Sequence, residues 1–310
     1  MNTPSRHVVA RAAEANFAVP DHSWAKAAVG FTRWSVVDET TPGVNTGFGV
    51  CELQPGGVIP AHLHSYEESF FILSGEVELQ REGSAVRLRE GDYGLLPIGV
   101  PHSWHNTSSA PARWAEMLAP QPRSRFDGDT YLVPELPRTK AVPVDVRDPR
   151  TRDFGHVAPE HMDVSKQGQE HLAVSASMRT ALLVYSGITV KMMVDSDLGA
   201  DLATMFMVQY DPDGVAGAHD HPFEETYLFL EGEAEAEFDG SVYRLGPGDV
   251  AFAGAGCVHG FRNAGGGKLR WLETQAPQPP GRHSYRFARD WDYLRAQLTQ
   301  QGNPERSKED

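Results

Sequence analysis

Three histidines and one glutamate recur in the same order in each half of the chain. The two sets are His62, His64, Glu68 and His102, and then His219, His221, Glu225 and His259. Each member of the second set follows its counterpart by 157 residues, as His219 follows His62. Three imidazoles and a carboxylate can supply all the protein ligands of a divalent transition metal such as Fe, Mn, Ni, Co, Cu or Zn. The sequence therefore predicts a metal site in each half, up to two metals per chain.

The spacing within a set is typical of β-strands. His62 and His64 are two residues apart, so both point to the same face of one strand. Glu68 opens the next strand after a short turn, and His102 comes from a later one. Short strands separated by glycine turns at regular intervals favour a small barrel or jelly roll. We expect each set to converge inside such a barrel.

Further residues near each set are candidates for chemistry. Glu68 and Glu225 can serve as ligands and as proton acceptors. Tyr227 shares a face with Glu225, and can act as an acid or base or pack in the core with its hydroxyl satisfied. Glu67 and Glu224 precede the ligand glutamates, and alternation places them on the opposite face, where we expect solvated or salt-bridged side chains.

Composition limits the class of protein. The chain has 310 residues, 40% hydrophobic residues, two cysteines and a formal net charge of −14. Such a charge disfavours nucleic acid and anionic membranes as partners. At the open positions of the predicted metal sites we expect a small-molecule substrate. We see no secretory signal and no apolar run long enough for a membrane span. Two cysteines are not a disulfide framework, so we expect a cytoplasmic protein.

The repeat divides the chain into two domains. We expect residues 1–140 to form an N-terminal arm and the first domain. Residues 141–310 would hold a connection, the second domain and a short C-terminal helix. The helix is predicted from Trp291, Leu294 and Leu298, whose spacing gives one packing face.

These residues resemble the two motifs of the cupin superfamily, Gly-x5-His-x-His-x3-Glu-x6-Gly and Gly-x5-Pro-x-Gly-x2-His-x3-Asn. The first half matches at every position, from Gly56 to Asn106. The second half departs at Asp213 and Gly254, neither of which is a ligand position. The resemblance implies an all-β fold of two tandem cupin barrels, each a double-stranded β-helix or jelly roll.

The resemblance also implies classes of function. The ligand set is similar to that of quercetinases, germins and oxalate decarboxylases. It favours a metal-dependent dioxygenase, an oxidoreductase acting on a small enolisable or hydroxylated aromatic compound. The layout is similar to that of ureidoglycine aminohydrolases, which keeps open a non-oxidative hydrolase, isomerase or lyase. A small-molecule binding protein without turnover is the third alternative. A homodimer formed through the N-terminal arm is a family-based expectation.

Overall fold

The computed structural model describes residues 5–163 and 187–278, together with the backbone of 179–183 and 286–287. These residues are mostly β-strands joined by short turns, and the two halves form two barrels. The predicted all-β fold of two tandem barrels is confirmed. The predicted helix around Trp291 lies outside the described residues.

The first half contains a short helix, α1 (Ser23–Lys26), and twelve strands. The strands are β1 (His7–Ala10), β2 (Val29–Val37), β3 (Gly47–His64), β4 (Glu67–Ser74), β5 (Glu76–Arg81), β6 (Ser84–Arg89), β7 (Asp92–Leu96), β8 (His102–His105), β9 (Ala112–Ala119), β10 (Thr130–Leu132), β11 (Val142–Pro143) and β12 (Phe154–His156). All but β1 belong to one eleven-stranded sheet. The long strand β3 holds it together, because β2, β8, β9 and β10 all pair with it.

The second half repeats this order in two sheets. Its strands are β13 (Arg179–Leu183), β14 (Ile188–Val194), β15 (Thr204–Tyr210), β16 (Val215–Asp220), β17 (Glu224–Glu231), β18 (Ala234–Phe238), β19 (Ser241–Leu245), β20 (Val250–Ala253), β21 (His259–Asn263), β22 (Leu269–Ala276) and β23 (Arg286–Phe287). The sheet orders are β1-β20-β17-β22-β15-β14-β13 and β19-β18-β21-β16-β23. The counterpart of β3 is split here into β15 and β16.

The turns after β4 and β17, the strands that carry Glu68 and Glu225, require glycine. Gly75 and Gly232 have φ values of 78° and 77°. A Cβ at Gly75 would lie 2.4 Å from the carbonyl oxygen of Pro111, and one at Gly232 would lie 2.3 Å from that of Lys268. Both the backbone conformation and the close approach of another strand therefore exclude a side chain.

Three apolar clusters form the core. One fills the first barrel around Trp104 and Trp114, and a second fills the other barrel around Phe238 and Trp271. The third joins the outer faces of the two barrels and includes Phe48 from the first and Met205 from the second. Each barrel thus packs its outer sheet face against the other barrel, and β4 and β17, which carry Glu68 and Glu225, run between two buried surfaces.

The barrels also exchange the strands that lead into them. Strand β1 precedes the first barrel but pairs with β20 of the second, where Arg11 contacts Asp249 at 2.8 Å. Strand β12 precedes the second barrel but pairs with β7 of the first, where His156 contacts Asp92 at 2.8 Å. The N-terminal arm therefore pairs with a strand of the same chain. A homodimer formed through this arm stays a prediction.

Two glutamates fasten the barrels reciprocally. The carboxylate of Glu67 accepts hydrogen bonds from the backbone N–H groups of Asp201 (2.6 Å) and Leu202 (2.9 Å). That of Glu224 accepts them from Val44 (2.8 Å) and Asn45 (2.9 Å). Both glutamates are buried. The expectation of solvated or salt-bridged side chains is wrong, because the face opposite each ligand faces the other barrel.

The predicted division near residue 140 stays a prediction. Strands β11 and β12 follow that point in the chain and pair with the first barrel. No helix among the described residues is long and apolar enough to cross a membrane.

Candidate metal centres

The first set of ligands converges at the wall of the first barrel. The ligand atoms of His64, Glu68 and His102 all lie within 4.8 Å of one another. Glu68 Oε2 is 3.2 Å from Nε2 of His64 and 3.7 Å from that of His102. His62 adjoins this group, with its ring centroid 4.2 Å from that of His102. Strands β3, β4 and β8 thus bring the four predicted residues together.

Hydrogen bonds orient each imidazole of this set. Nδ1 of His62 lies 2.8 Å from the carbonyl oxygen of Pro60, and Nδ1 of His64 lies 2.6 Å from that of Tyr66. Nδ1 of His102 is 2.9 Å from the carbonyl oxygen of Val100. A carbonyl only accepts, so each Nδ1 must carry the proton. Each Nε2 then offers a lone pair to a metal.

Burial keeps these imidazoles neutral. It lowers the pKa of His62 and of His64 to about 4 and holds the pKa of His102 well below its usual value. The Nε2 atoms of His64 and His102 are buried and receive no hydrogen bond within the described residues. Neutral imidazoles with free lone pairs are the state that metal binding requires. The donor set therefore fits a divalent transition metal.

The second set is arranged in the same way. The ligand atoms of His219, His221 and His259 lie within 4.8 Å of one another. Glu225 Oε2 is 2.8 Å from Nε2 of His221 and 3.1 Å from that of His259. Each Nδ1 again faces a backbone carbonyl, at 2.7, 2.8 and 3.0 Å. The structure thus brings this predicted set together as well.

The carboxylates of Glu68 and Glu225 differ in the hydrogen bonds that they accept. Glu225 receives a short hydrogen bond from the hydroxyl of Tyr227 and another from the Gln275 amide at 2.6 Å, one on each oxygen. The corresponding neighbours of Glu68 are Phe70 and Leu118, which offer no donor. Within the described residues, Glu68 receives no hydrogen bond from a hydroxyl or amide group. Hydroxyl and amide donors therefore hold the carboxylate of the second site, whereas that of the first contacts its histidines at 3.2 and 3.7 Å.

The two carboxyl groups also differ in the direction in which their pKa values are shifted. Burial, together with the nearby Glu116 carboxylate, raises the pKa of Glu68 well above its usual value. Burial opposes ionisation of Glu225 too, but the positive charge of a protonated His221, with hydrogen bonds from His221 and His259, outweighs burial and holds the Glu225 pKa well below its usual value. Burial also raises the pKa of Tyr227. Of the two carboxyl groups, that of Glu68 has the greater affinity for a proton.

A cavity of about 460 Å³ reaches the first site. His62 and Glu68 lie on its wall, and its other sides carry an aromatic set and a buried ion pair. The aromatic set consists of Trp24, Phe31, Tyr66, Trp104 and Trp114. Trp24, which α1 supplies, stacks on His62 with ring centroids 5.6 Å apart. The volume is within the usual range for small-molecule sites.

Comparison with known protein families identifies the domain that each barrel forms. The Cupin domain family model matches residues 49–118 and 206–274, which contain all eight predicted ligands. Each match covers one barrel. The chain is a bicupin.

This bicupin is similar in sequence to several known proteins. It is 34% identical over 88 residues to Protein SchB of Streptomyces halstedii, across 28% of the chain and 64% of that protein. It is 26% identical over 230 residues to quercetin 2,3-dioxygenase of Bacillus subtilis, across 67% of the chain and 66% of that enzyme. The chain thus matches just under two thirds of the length of either relative.

Solved structures support the fold of the bicupin. The formate complex of Lactobacillus farciminis oxalate decarboxylase superposes with a TM-score of 0.62 at 18% identity. The match covers 94% of the chain and 91% of that enzyme. At this identity, the likeness establishes the fold and leaves the reaction open.

Sequence reasoning missed the ion pair in the bicupin's first cavity. Arg33 of β2 pairs with Glu116 of β9. Glu116 repeats as Glu273, a signal that the position matters. The sequence did not predict that Arg33 is the partner of Glu116, because the register of the strands decides which side chains meet.

Proposed function

We propose that this bicupin is a metal-dependent dioxygenase whose working site is in the first barrel. The substrate would be a small hydroxylated aromatic or enolisable compound. One observation carries the proposal: an aromatic-walled cavity of about 460 Å³ opens directly on His62 and Glu68. Aromatic walls pack well against a planar ring. The similarity to quercetin 2,3-dioxygenase supports the same reaction class.

His62, His64, Glu68 and His102 would hold the metal of this site. A bound divalent transition metal would polarise the substrate hydroxyl and supply the redox chemistry that dioxygen needs. Four protein ligands leave room in a five- or six-coordinate shell. The reaction would consume one dioxygen per substrate, break a carbon–carbon bond and place both oxygen atoms in the products.

The protein's own groups would bind and deprotonate the substrate. Trp104 and Trp114 would pack against its ring and exclude water. The Glu68 carboxylate would accept the hydroxyl proton, since it lies on the cavity wall and, within the described residues, its oxygens accept no hydrogen bond from a hydroxyl or amide group. Glu68 would thus be both ligand and proton acceptor.

The second barrel would bind a second metal through His219, His221, Glu225 and His259. Both oxygens of Glu225 accept hydrogen bonds, which suits a ligand held in one orientation and not a mobile proton acceptor. Tyr227 is fully buried and donates to Glu225. We therefore assign Tyr227 to positioning the ligand and not to proton transfer with substrate.

Oxygen uptake tests the proposal. Metal-reconstituted protein would be given quercetin and a panel of smaller hydroxylated aromatics, with uptake measured by electrode and products by mass spectrometry under ¹⁸O₂. We expect uptake with at least one compound, lost in His62→Ala/His64→Ala and kept in His219→Ala/His221→Ala.

Anaerobic controls separate the rival classes. Product formed without oxygen would overturn the dioxygenase and favour a hydrolase, isomerase or lyase. Ligand binding with no product in either atmosphere would favour a binding protein without turnover. Uptake lost only in the second-barrel variant would place the working site there.

A further inference from the structure

A buried guanidinium lies in the wall of the first cavity. The side chain of Arg33 is 9% exposed and forms a short ion pair with Glu116, whose side chain is 10% exposed. Its Nη1 donates to Ser35 Oγ at 2.6 Å. Arg33 and Glu116 line the same cavity as His62 and Glu68. A buried charge is costly, so its position at this cavity calls for an explanation.

The second barrel shows that the fold does not need this charge. Arg33 pairs in register with Cys51, and the counterpart of Cys51, Val208, pairs with Val190. Valine thus takes the place of the arginine. The glutamate is kept as Glu273, where the indole of Trp271 donates to it at 2.8 Å.

A matching change makes room for the guanidinium. Gly49 lies opposite Glu116, and a Cβ there would be 2.7 Å from Cζ of Arg33. Its counterpart opposite Glu273 is Phe206, which is buried. The first barrel therefore pairs a glycine with an arginine where the second pairs a phenylalanine with a valine. In the first barrel the space and the charge occur together, beside the cavity that reaches the ligands.

One donor of Arg33 is unused. Nη2 is buried and has no hydrogen-bond partner in the part of the chain that the structure describes. Arg33 Nε donates to Glu116 and Nη1 donates to Ser35, so the guanidinium is held in place. An unsatisfied buried donor is unfavourable, and an oxygen atom of a ligand would relieve it.

We propose that Arg33 determines substrate specificity by donating to a second oxygen of the substrate. The substrate would carry a carboxylate or carbonyl group besides the hydroxyl that meets the metal ligands. Glu116 and Gly49 would position the guanidinium for this contact. The inference rests on the proposed function in taking this cavity as the substrate site, but it does not depend on the reaction.

Calorimetric binding of three matched phenols tests this inference on the metal-loaded chain without oxygen. The probes are 4-hydroxybenzoate, 4-hydroxyacetophenone and 4-ethylphenol, which differ in the second oxygen group. We expect one or both of the first two to bind at least about tenfold more tightly than 4-ethylphenol, as one charge-assisted hydrogen bond allows. A preference for the acid alone identifies a carboxylate, and a preference for both identifies a carbonyl oxygen.

Variants then assign the preference to Arg33. Arg33→Met should reduce it to less than twofold while 4-ethylphenol binding is unchanged. Because this change strands the buried Glu116, the double variant Arg33→Met/Glu116→Leu removes the pair together. Val190→Met places the same residue at the equivalent position of the second barrel. It should leave the preference for the probes with a second oxygen group unchanged.

Equal binding of all three probes to the wild type, or a preference that survives in the double variant, would overturn the role of Arg33. Failure of the proposed function would give another result. The binding preference would be present, but no hydroxylated aromatic would cause oxygen uptake.

Discussion

Replacing Glu67 or Glu224 by glutamine should weaken the joint between the barrels, by which we mean the hydrogen bonds that these two carboxylates accept from the opposite barrel. Each carboxylate accepts two backbone N–H bonds from a loop of the other barrel, at 2.6 and 2.9 Å for Glu67 and at 2.8 and 2.9 Å for Glu224. An amide oxygen can replace one acceptor, but the amide nitrogen then faces a backbone donor. One charge-assisted bond is lost and one buried N–H is left unsatisfied.

The expected cost follows from those contacts. A hydrogen bond to a charged group contributes about 1.5–3 kcal/mol, so each glutamine variant should lose about 2 kcal/mol of unfolding free energy. Alanine at either position strands both N–H groups and should cost about 4 kcal/mol. Urea unfolding at pH 7, followed by tryptophan fluorescence and circular dichroism, measures both.

Glu237→Gln is the matched control. Glu237 is exposed and lies on β18, away from the joint. Its variant should unfold within about 0.5 kcal/mol of the wild type. Glu67→Gln and Glu224→Gln variants that are as stable as this control would refute the reasoning.

Three other outcomes are expected. In metal-free protein, burial lowers the pKa of His62 and His64 to about 4, so their neutral forms stabilise the fold above pH 6.5. This contribution, of the order of 3 kcal/mol each, should be lost between pH 6.5 and 4; a flat urea midpoint over that range would contradict it. Gly75→Ala should cost more than about 2 kcal/mol, because it combines a positive φ with a clash; an unchanged melting temperature would count against this. Tyr227→Phe and Gln275→Leu should each weaken metal binding in the second barrel about tenfold or more in chelator competition, and unchanged affinity would mean that these donors do not support the ligand.

The convergence of the candidate metal ligands was predictable because it follows local rules. Side chains two apart on a strand share a face, which places His62 beside His64 whatever the rest of the fold does. The 157-residue offset then carried the same prediction to His219 and His221. Glycine at the turns and apolar runs between them set the strands, and the barrel follows from those strands.

The same local rules did not predict the joint between the barrels. Alternation correctly placed Glu67 opposite Glu68, but in one barrel taken alone that face looks like the surface. The structure buries it against the second barrel, where a carboxylate can replace water with backbone N–H groups. Arg33 was missed for a similar reason, since its contacts come from strand pairing and not from neighbours in the chain.

Metal analysis tests the central claim most directly. Protein purified without added metal, and then reconstituted, would be measured by elemental analysis as wild type, His62→Ala/His64→Ala and His219→Ala/His221→Ala. We predict two divalent metals per chain in the wild type and one in each variant. An unchanged metal content in His62→Ala/His64→Ala would contradict the account, because the cavity of the first barrel would then open on no metal site.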